Sequence, residues 1–384
     1  MPRLPMTIPG NLEALAPEIP AGVLDEPFRA ACERLDRYIG ALVREMASAL
    51  DLGASEEPGY DRIVAERGWN DGGSLAVRWL IETLDLYGLT ERTSGGWRLV
   101  PGPAAASSTE IRAEAERLLP AAGPAYEVLE LCAAALPAVL RGELRGQDAL
   151  FGPTTLGLWF DYFSNSNPHY ALNNVITGAA VARAARPGAR ILEVGGGGGS
   201  AAEAALAALT QAGRPPSAYV FTELQPAFLR RGARTVQRAL PAGCECRALR
   251  FDINLEPAAQ GLDGARFDVV FGVNTLHLAH DLAATLANLR ALLAPGGAIV
   301  VGELLRPSPI APVHLELPFT LLDEYGRVPL SDGIRERPGF MSAQGWTRAL
   351  AAAGFREVTV IPAQIERCAA IYPGFYCGAV AARG

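Results

Sequence analysis

The chain has 384 residues, of which 49% are hydrophobic and 20% charged, and its net charge is −7. This is a globular composition, long enough for two ordinary domains, and it excludes an intrinsically disordered chain. The acidic balance argues against a nucleic-acid-binding surface. All the basic residues are arginine, so Schiff-base chemistry and a phosphate-loop lysine are excluded outright. Residues 1–10 carry prolines and no apolar run, unlike a secretory signal, and no uninterrupted apolar run of about 18 residues is present. The six cysteines are scattered, which fits a reduced, cytoplasmic protein.

In chain order, Phe28, Cys32, Leu35, Ile39, Leu42, Val43 and Met46 recur at helical spacing and predict a helix within residues 25–52. A second helix is expected over 74–86. Two short strands at 89–92 and 97–100 flank the glycine turn Ser94-Gly95-Gly96. Helices followed by such a hairpin resemble a winged helix. The predicted recognition helix is apolar and poor in basic residues, so a dimerising or substrate-covering role is favoured over DNA binding. A Pro/Ala/Ser-rich stretch at 101–108 marks a boundary. Helices follow to 144, with Pro120 and Pro137 as breakers. Residues 151–174 crowd aromatics and amides together, among them Tyr162, His169 and Tyr170, and read as a lid over a ligand site or as a helix packed on the next domain.

From residue 191 the pattern becomes strand and helix in alternation. Ile191-Leu192-Glu193-Val194 predicts a buried strand. Gly195 to Gly199 form a loop, and Ser200 reads as the cap of a helix over 201–212. Further strands are expected at 219–222, ending in Glu223-Leu224, at 246–251, ending in Asp252-Ile253, at 267–273, ending in Asn274, and at 298–302, ending in Glu303. Helices are expected at 226–239 and 282–293. Alternation of this kind predicts a doubly wound α/β sheet whose ligand lies at the carboxyl ends of the strands. Arg306-Pro307-Ser308-Pro309 interrupts the pattern and opens an insertion to about residue 340. A helix at 342–353 and strands at 358–361 and 376–381 follow. Cys244 and Cys246 read as two thiols ahead of a strand rather than a metal site.

A glycine loop alone does not separate nicotinamide dinucleotides from S-adenosylmethionine. Glu193 does, because a carboxylate inside the first strand can attract the ammonium that only the second ligand has. Glu223 can accept hydrogen bonds from two ribose hydroxyls, and Asp252 with Ile253 offers a carboxylate and an apolar edge to an adenine. Residues 190–307 resemble class I S-adenosylmethionine-dependent methyltransferases, and more narrowly the C-methyltransferase domains of polyketide synthases. The resemblance rests on the glycine loop, on Phe251-Asp252-Ile253-Asn254 with Glu256-Pro257 and Gln260-Gly261, on Asn274-Thr275-Leu276-His277, and on Leu293-Ala294-Pro295-Gly296-Gly297.

The resemblance implies a Rossmann-like methyltransferase sheet with a helical, winged-helix-like N-terminal domain. The expected partition is 1–105, a helical linker and lid at 106–185, and a cofactor-binding domain at 186–384 with a lid insertion at about 305–340. It further implies S-adenosylmethionine bound by Glu193, Gly195, Gly197, Gly199, Glu223, Leu224, Asp252, Ile253 and Asn274. Methyl transfer to the α-carbon of a β-ketoacyl thioester would follow, in polyketide-like secondary metabolism and on a carrier-bound or free acceptor in trans. His277 would remove the α-proton and Glu303 would set its tautomer. Tyr162, His169, Tyr170, His314, Phe319 and Tyr325 are the expected substrate and lid residues. The insertion lacks the tryptophan-containing segment usual in the synthase domains, and Gly196 and Gly198 replace slightly larger residues, which implies a loop more mobile without cofactor.

Other readings stay open. With the same histidine as base, the acceptor could be a hydroxyl, as in O-methyltransferases whose N-terminal region dimerises. A ligand-responsive regulator is the non-enzymatic alternative. His277, His280 and Asp281 could contribute to a metal site, but Asp281 reads better as the cap of the following helix, and no metal is expected.

Overall fold

The computed structural model describes residues 12–54, 56–70, 73–100, 106–308, 311–371 and 375–384. Residues 1–10, most of the 101–108 boundary and Pro309 lie outside these. Packing divides the chain into two compact units. One comprises Asp25–Tyr162 with Ala311–Arg327, and the other Gly10–Leu24, Phe163–Ile310 and Val328–Gly384. Against the three consecutive stretches expected from sequence, residues 106–162 and 311–327 fall in the first unit and 328–340 in the second.

The first unit is helical. α1 (Glu26–Ala49) starts where the Asp25 carboxylate accepts the Phe28 amide at 2.9 Å, and it buries one apolar stripe from Ala31 to Ala47. α2 (Ser74–Leu86) leads into the hairpin of β1 (Thr90–Arg92) and β2 (Trp97–Leu99), paired Thr90 to Leu99. α3 (Ser108–Leu118) begins with a capping box between Ser107 and Glu110. Pro120 breaks the chain before α4 (Gly123–Leu140), as expected, but Pro137 lies inside α4. Its carbonyl still accepts the Arg141 amide, and burial of Ala135, Leu136, Val139 and Leu140 around it holds the last turns helical. Among the described residues, only 120–140 is long and apolar enough to cross a membrane, and 56% of that window is buried, as befits a core helix.

The second unit is built on a seven-stranded sheet. The first of its long helices, α5 (Pro168–Ala184), is capped by the Asn167 side chain, which accepts the His169 amide at 3.3 Å. Residues 168–174, read from sequence as lid or packing helix, are the first two turns of this core element. β3 (Arg190–Glu193) leads through the glycine loop to α6 (Ser200–Gln211). Next come β4 (Ala218–Glu223), α7 (Pro226–Ala239), β5 (Glu245–Arg250), β6 (Phe267–Val273), α8 (Leu282–Ala291), β7 (Leu293–Leu304), α9 (Ala343–Ala352), β8 (Arg356–Ile361) and β9 (Cys377–Arg383). The strand order is β5-β4-β3-β6-β7-β9-β8. The first five strands are parallel, and β9 runs antiparallel between β7 and β8. From β3 the chain moves outward to β4 and β5, then returns to place β6 on the other side of β3. The loops after β3 and β6 therefore flank the point where strand order reverses, where such sheets bind ligands.

The helix cap at the glycine loop differs from expectation. Gly199, not Ser200, is the N-cap; its φ is 91°, and Ser200 is the first helical residue. A left-handed cap needs glycine. α5 and α6 approach closely through small residues: a Cβ on Gly178 would lie 2.9 Å from the Ala204 carbonyl oxygen. Gly178→Val is expected to lower stability by about 1–3 kcal/mol, measured by denaturant unfolding. An unchanged midpoint would mean that the helices can separate there at no cost.

Candidate active site

At the end of β3, Glu193 is fully buried. Tyr219 donates its hydroxyl to Glu193 Oε2 at 2.7 Å, while Oε1 has no protein hydrogen-bond partner. Burial pushes the carboxyl up to about 8. The Tyr219 hydroxyl pulls it back, the Glu223 charge pushes it further, and the Ala202 amide adds a weak opposing pull. In the loop itself, Gly196 has no room for a side chain, because a Cβ would meet the Phe221 ring at 2.1 Å and the Glu193 carboxyl carbon at 2.9 Å. Phe221 thus fills the space that a larger loop residue would take. At Gly197 and Gly198 a Cβ would meet nothing within 4 Å, which leaves open backbone facing outward.

Glu223 closes the loop from the next strand. Its Oε2 accepts the Gly197 amide at 2.9 Å and its Oε1 accepts the Gln225 amide at 2.8 Å, leaving lone pairs on both oxygens. Leu224 follows, half-buried. Asp252 and Ile253 are also half-buried at the end of β5. Asp252 Oδ1 accepts the Asn254 amide at 2.9 Å. The Gln260 side chain clamps the Asp252 backbone, accepting its N–H at 2.7 Å and donating to its carbonyl at 2.9 Å. Those bonds explain the spacing of the Asp-Ile and Gln-Gly pairs read in the sequence.

On the other side of the switch point, Asn274 ends β6 with φ 51°, a left-handed conformation that asparagine tolerates. Its side-chain oxygen accepts the Leu304 amide and the Asn173 amide group, each at 3.1 Å, and its backbone N–H donates to Gly302 at 2.8 Å. Tyr170 bonds Asn274 from the first turn of α5, and burial pushes its phenol well up. Thr275 donates its hydroxyl to the Gly195 carbonyl at 3.1 Å, joining this side to the glycine loop.

Three residues on, His277 is buried against Glu303, which is itself fully buried on β7. Nδ1 of His277 lies 2.8 Å from Glu303 Oε2, and the His277 backbone N–H donates to Oε1 at 3.3 Å. One carboxylate therefore holds both the ring and the backbone of the histidine. The other face of the imidazole packs on Phe340, with ring centroids 4.4 Å apart. Arg306 fixes the Phe340 segment by donating to the carbonyls of Phe340 and Pro338.

Arg335 was not singled out in the sequence. It is buried, and it donates to the carbonyls of His277 at 3.2 Å and Ala279 at 2.8 Å. Burial lowers its pKa and the Glu303 charge raises it. Tyr219 was missed too. It sits two residues before Phe221 on the strand that pairs with β3, so the two-residue period of neighbouring strands could have placed it on the Glu193 face.

The remaining expected residues divide between the units. His169 is buried in α5, and burial pushes its imidazole down to about 4. Tyr162, Phe319 and Tyr325 belong to the first unit. There Trp159 packs on Tyr162 and Phe319, and Tyr325 donates to Glu316 at 2.7 Å. His314 is buried in the same unit. Asp281 caps α8 by accepting the Ala284 amide at 2.9 Å, and His280 is exposed. No metal-suited cluster of three or more His, Cys, Asp or Glu occurs among the described residues.

Residues 192–299 match the family described as a methyltransferase domain. The polyketide synthase ThaQ of Burkholderia thailandensis is 31% identical over 307 residues, which are 76% of this chain and 14% of ThaQ. The chain contains a methyltransferase domain. It spans only a small part of the length of the curated relatives it matches. Its fold is that of the CurJ carbon methyltransferase, with TM-score 0.70, 22% identity, and 97% of this chain and 96% of that one covered. A trans-methyltransferase, CalH, solved with SAH, superposes at TM-score 0.61 with 22% identity, over 94% and 92% of the two chains.

The residues of this methyltransferase suit S-adenosylmethionine. Oε1 of Glu193 is buried with no protein hydrogen-bond partner, close to the loop at Gly196, and an ammonium is a group that would complete it. Because Glu193 is protonated below about pH 8 and must ionise to meet that ammonium, cofactor binding at pH 7 is expected to release about one proton. Calorimetry in buffers of different ionisation enthalpy measures this. Glu193→Gln should abolish the release, and an equal release from that variant would remove Glu193 from the account.

Proposed function

We propose that this methyltransferase transfers the methyl group to the α-carbon of a β-ketoacyl thioester, with His277 as the base. The observation that carries the reading is the buried Nδ1 to Oε2 contact of 2.8 Å between His277 and Glu303, next to the strand end joined to the glycine loop. Glu303 accepts from Nδ1, which directs the basicity to Nε2 and stabilises the imidazolium that forms. A proton flanked by two carbonyls is acidic enough for an imidazole to remove. When bound, S-adenosylmethionine supplies an electrophilic methyl, so the protein's tasks are to generate the carbanion and to align it. Glu193 would take the ammonium, Glu223 the ribose hydroxyls, and Asp252 with Ile253 the adenine edge. The acceptor would be delivered on a carrier protein, and action in trans belongs to this same reading. The likeness to polyketide synthases supports a thioester acceptor.

His277→Ala is expected to lower kcat by about 10²- to 10⁴-fold while the cofactor dissociation constant stays unchanged. Mass spectrometry of the product should place the methyl on carbon. Retained activity would refute the base assignment, and an oxygen-methylated product would assign His277 to a hydroxyl instead.

Arg335 fixes the turn that carries His277 through two backbone carbonyls. Arg335→Met should lower kcat about ten- to a hundred-fold with little change in KM, since small displacements of a catalytic group are costly. Arg335→Lys should recover part of the loss, because an ammonium cannot reproduce the planar fork of donors. A loss expressed in KM alone would show that Arg335 shapes the acceptor pocket rather than the base.

A further inference from the structure

The helix that follows Glu223 carries an arginine face that the methyl-transfer site does not use. α7 contains Arg230, Arg231, Arg234 and Arg238 and no acidic residue. At 3.6 residues per turn these four fall within about 100° of the helix circumference. They lie opposite Gly232 and Val236, the residues of α7 that are buried, and all four are exposed. The edge strand β5 extends the face with Arg247 and Arg250, also exposed. Arg250 donates to the Leu224 carbonyl at 3.3 Å, which lays its side chain at the start of α7, and Arg247 donates to the Gly261 carbonyl at 3.1 Å. Residues 224–251 thus contain six arginines and one acid, Glu245, in a chain whose net charge is −7.

Several arginines elsewhere are neutralised. Arg29, Arg34, Arg62, Arg78, Arg112 and Arg186 each meet a carboxylate. Among the described residues, Arg230, Arg234 and Arg238 form no ion pair. The nearby Glu223 carboxylate is already held by the Gly197 and Gln225 amides. Like charges four residues apart on a helix repel, so this face costs stability by itself and gains from an anionic partner.

The face also begins beside the reaction site. Phe228, in the first turn of α7, packs on Phe163 with centroids 6.4 Å apart. Phe163 packs on Tyr170 at 5.2 Å, and Tyr170 bonds Asn274. Aromatic packing therefore runs from the residues next to the His277 loop out to the start of the arginine helix.

We infer that the arginine face of α7 and β5 is the docking surface for the acidic carrier protein that delivers the acyl acceptor, an inference that rests on the carrier-bound thioester reading above. Opposite charge steers a small acidic protein to this face and sets its orientation. A nucleic acid is a poorer fit, because the charge of the rest of the chain repels an extended polyanion.

The test compares one β-ketoacyl group on an acidic acyl carrier protein with the same group on N-acetylcysteamine, using the full chain and the variant R230E/R234E/R238E. With the carrier-borne substrate, kcat/KM should fall at least about tenfold in the variant, and the salt dependence of the parent should flatten. With the N-acetylcysteamine thioester, turnover and cofactor affinity should not change. Arg→Gln at the same three positions should fall in between. Fluorescence anisotropy of labelled carrier reads binding separately from chemistry. Carrier binding that ignores the arginines, or an equal loss on both substrates, overturns the docking surface while leaving carbon methylation intact. Arginine-dependent carrier binding without a carbon-methylated product upholds the surface and overturns the reaction. Tighter arginine-dependent binding of labelled duplex DNA or RNA than of carrier also overturns it.

Discussion

The second unit is arranged around a buried carboxylate. Glu303 is fully buried on β7, a position that is costly unless partners satisfy it. His277 satisfies it twice, through its ring and through its backbone N–H. That double contact requires the loop after β6 to turn tightly over the end of β7, and the left-handed Asn274 makes the turn possible. Asn274 in turn needs the Leu304 amide and Asn173, which ties the end of β7 to α5. Antiparallel β9 completes the arrangement, because the Gly378 amide donates to Asn173 at 3.2 Å. One carboxylate and one imidazole thus sit where the ends of β6, β7 and β9 are tied to α5.

Glu193 and Glu303 are both buried glutamates at strand ends, yet their surroundings differ. Glu303 meets an imidazole that can become cationic, with the guanidinium of Arg335 nearby. Burial, helped by the charge of Glu223 and opposed by the Tyr219 hydroxyl, pushes the Glu193 carboxyl up to about 8, which favours its neutral form at pH 7 until a cation reaches it. The two glutamates therefore differ in what completes them, an imidazole at Glu303 and an open oxygen at Glu193.

Much of this was legible in the sequence because the residues concerned sit where local pattern fixes them. Glu193, Glu223, Asn274 and Glu303 each follow a largely apolar strand, Asp252 follows one interrupted by Arg247 and Arg250, and a strand end is a definite place in a parallel sheet. Ser342–Ala353 and Pro226–Ala239 read as helices for the same reason. What was not legible depends on long-range packing. Arg335 lies in an insertion with no periodic pattern, and its partners are carbonyls 56 and 58 residues earlier. The aromatics and amides of 168–174 suit a lid as well as a packed helix, and only packing on α6 and the sheet decides for a core helix. The partner of Gly196 is equally distant from local pattern: Phe221 occupies the space a side chain there would need.

The two halves of the site meet at Thr275. On one side lie the glycine loop, Glu193, Tyr219 and Glu223; on the other lie Asn274, His277, Glu303 and Arg335. Thr275 Oγ1 donates to the Gly195 carbonyl, and a Cβ on Gly195 would meet the threonine side chain at 2.3 Å. Changes confined to either half should add independently where they share no partner. Thr275 is different, because it touches the loop and leads directly into the His277 turn. The Thr275 hydroxyl lies 3.1 Å from the carbonyls of both Gly195 and Val273, so one short, packed segment links the glycine loop to the end of β6 and the His277 turn. Thr275 thus joins the glycine loop to the His277 turn just beyond the β3–β6 ladder, which itself ends at the Val194 to Phe271 hydrogen bond.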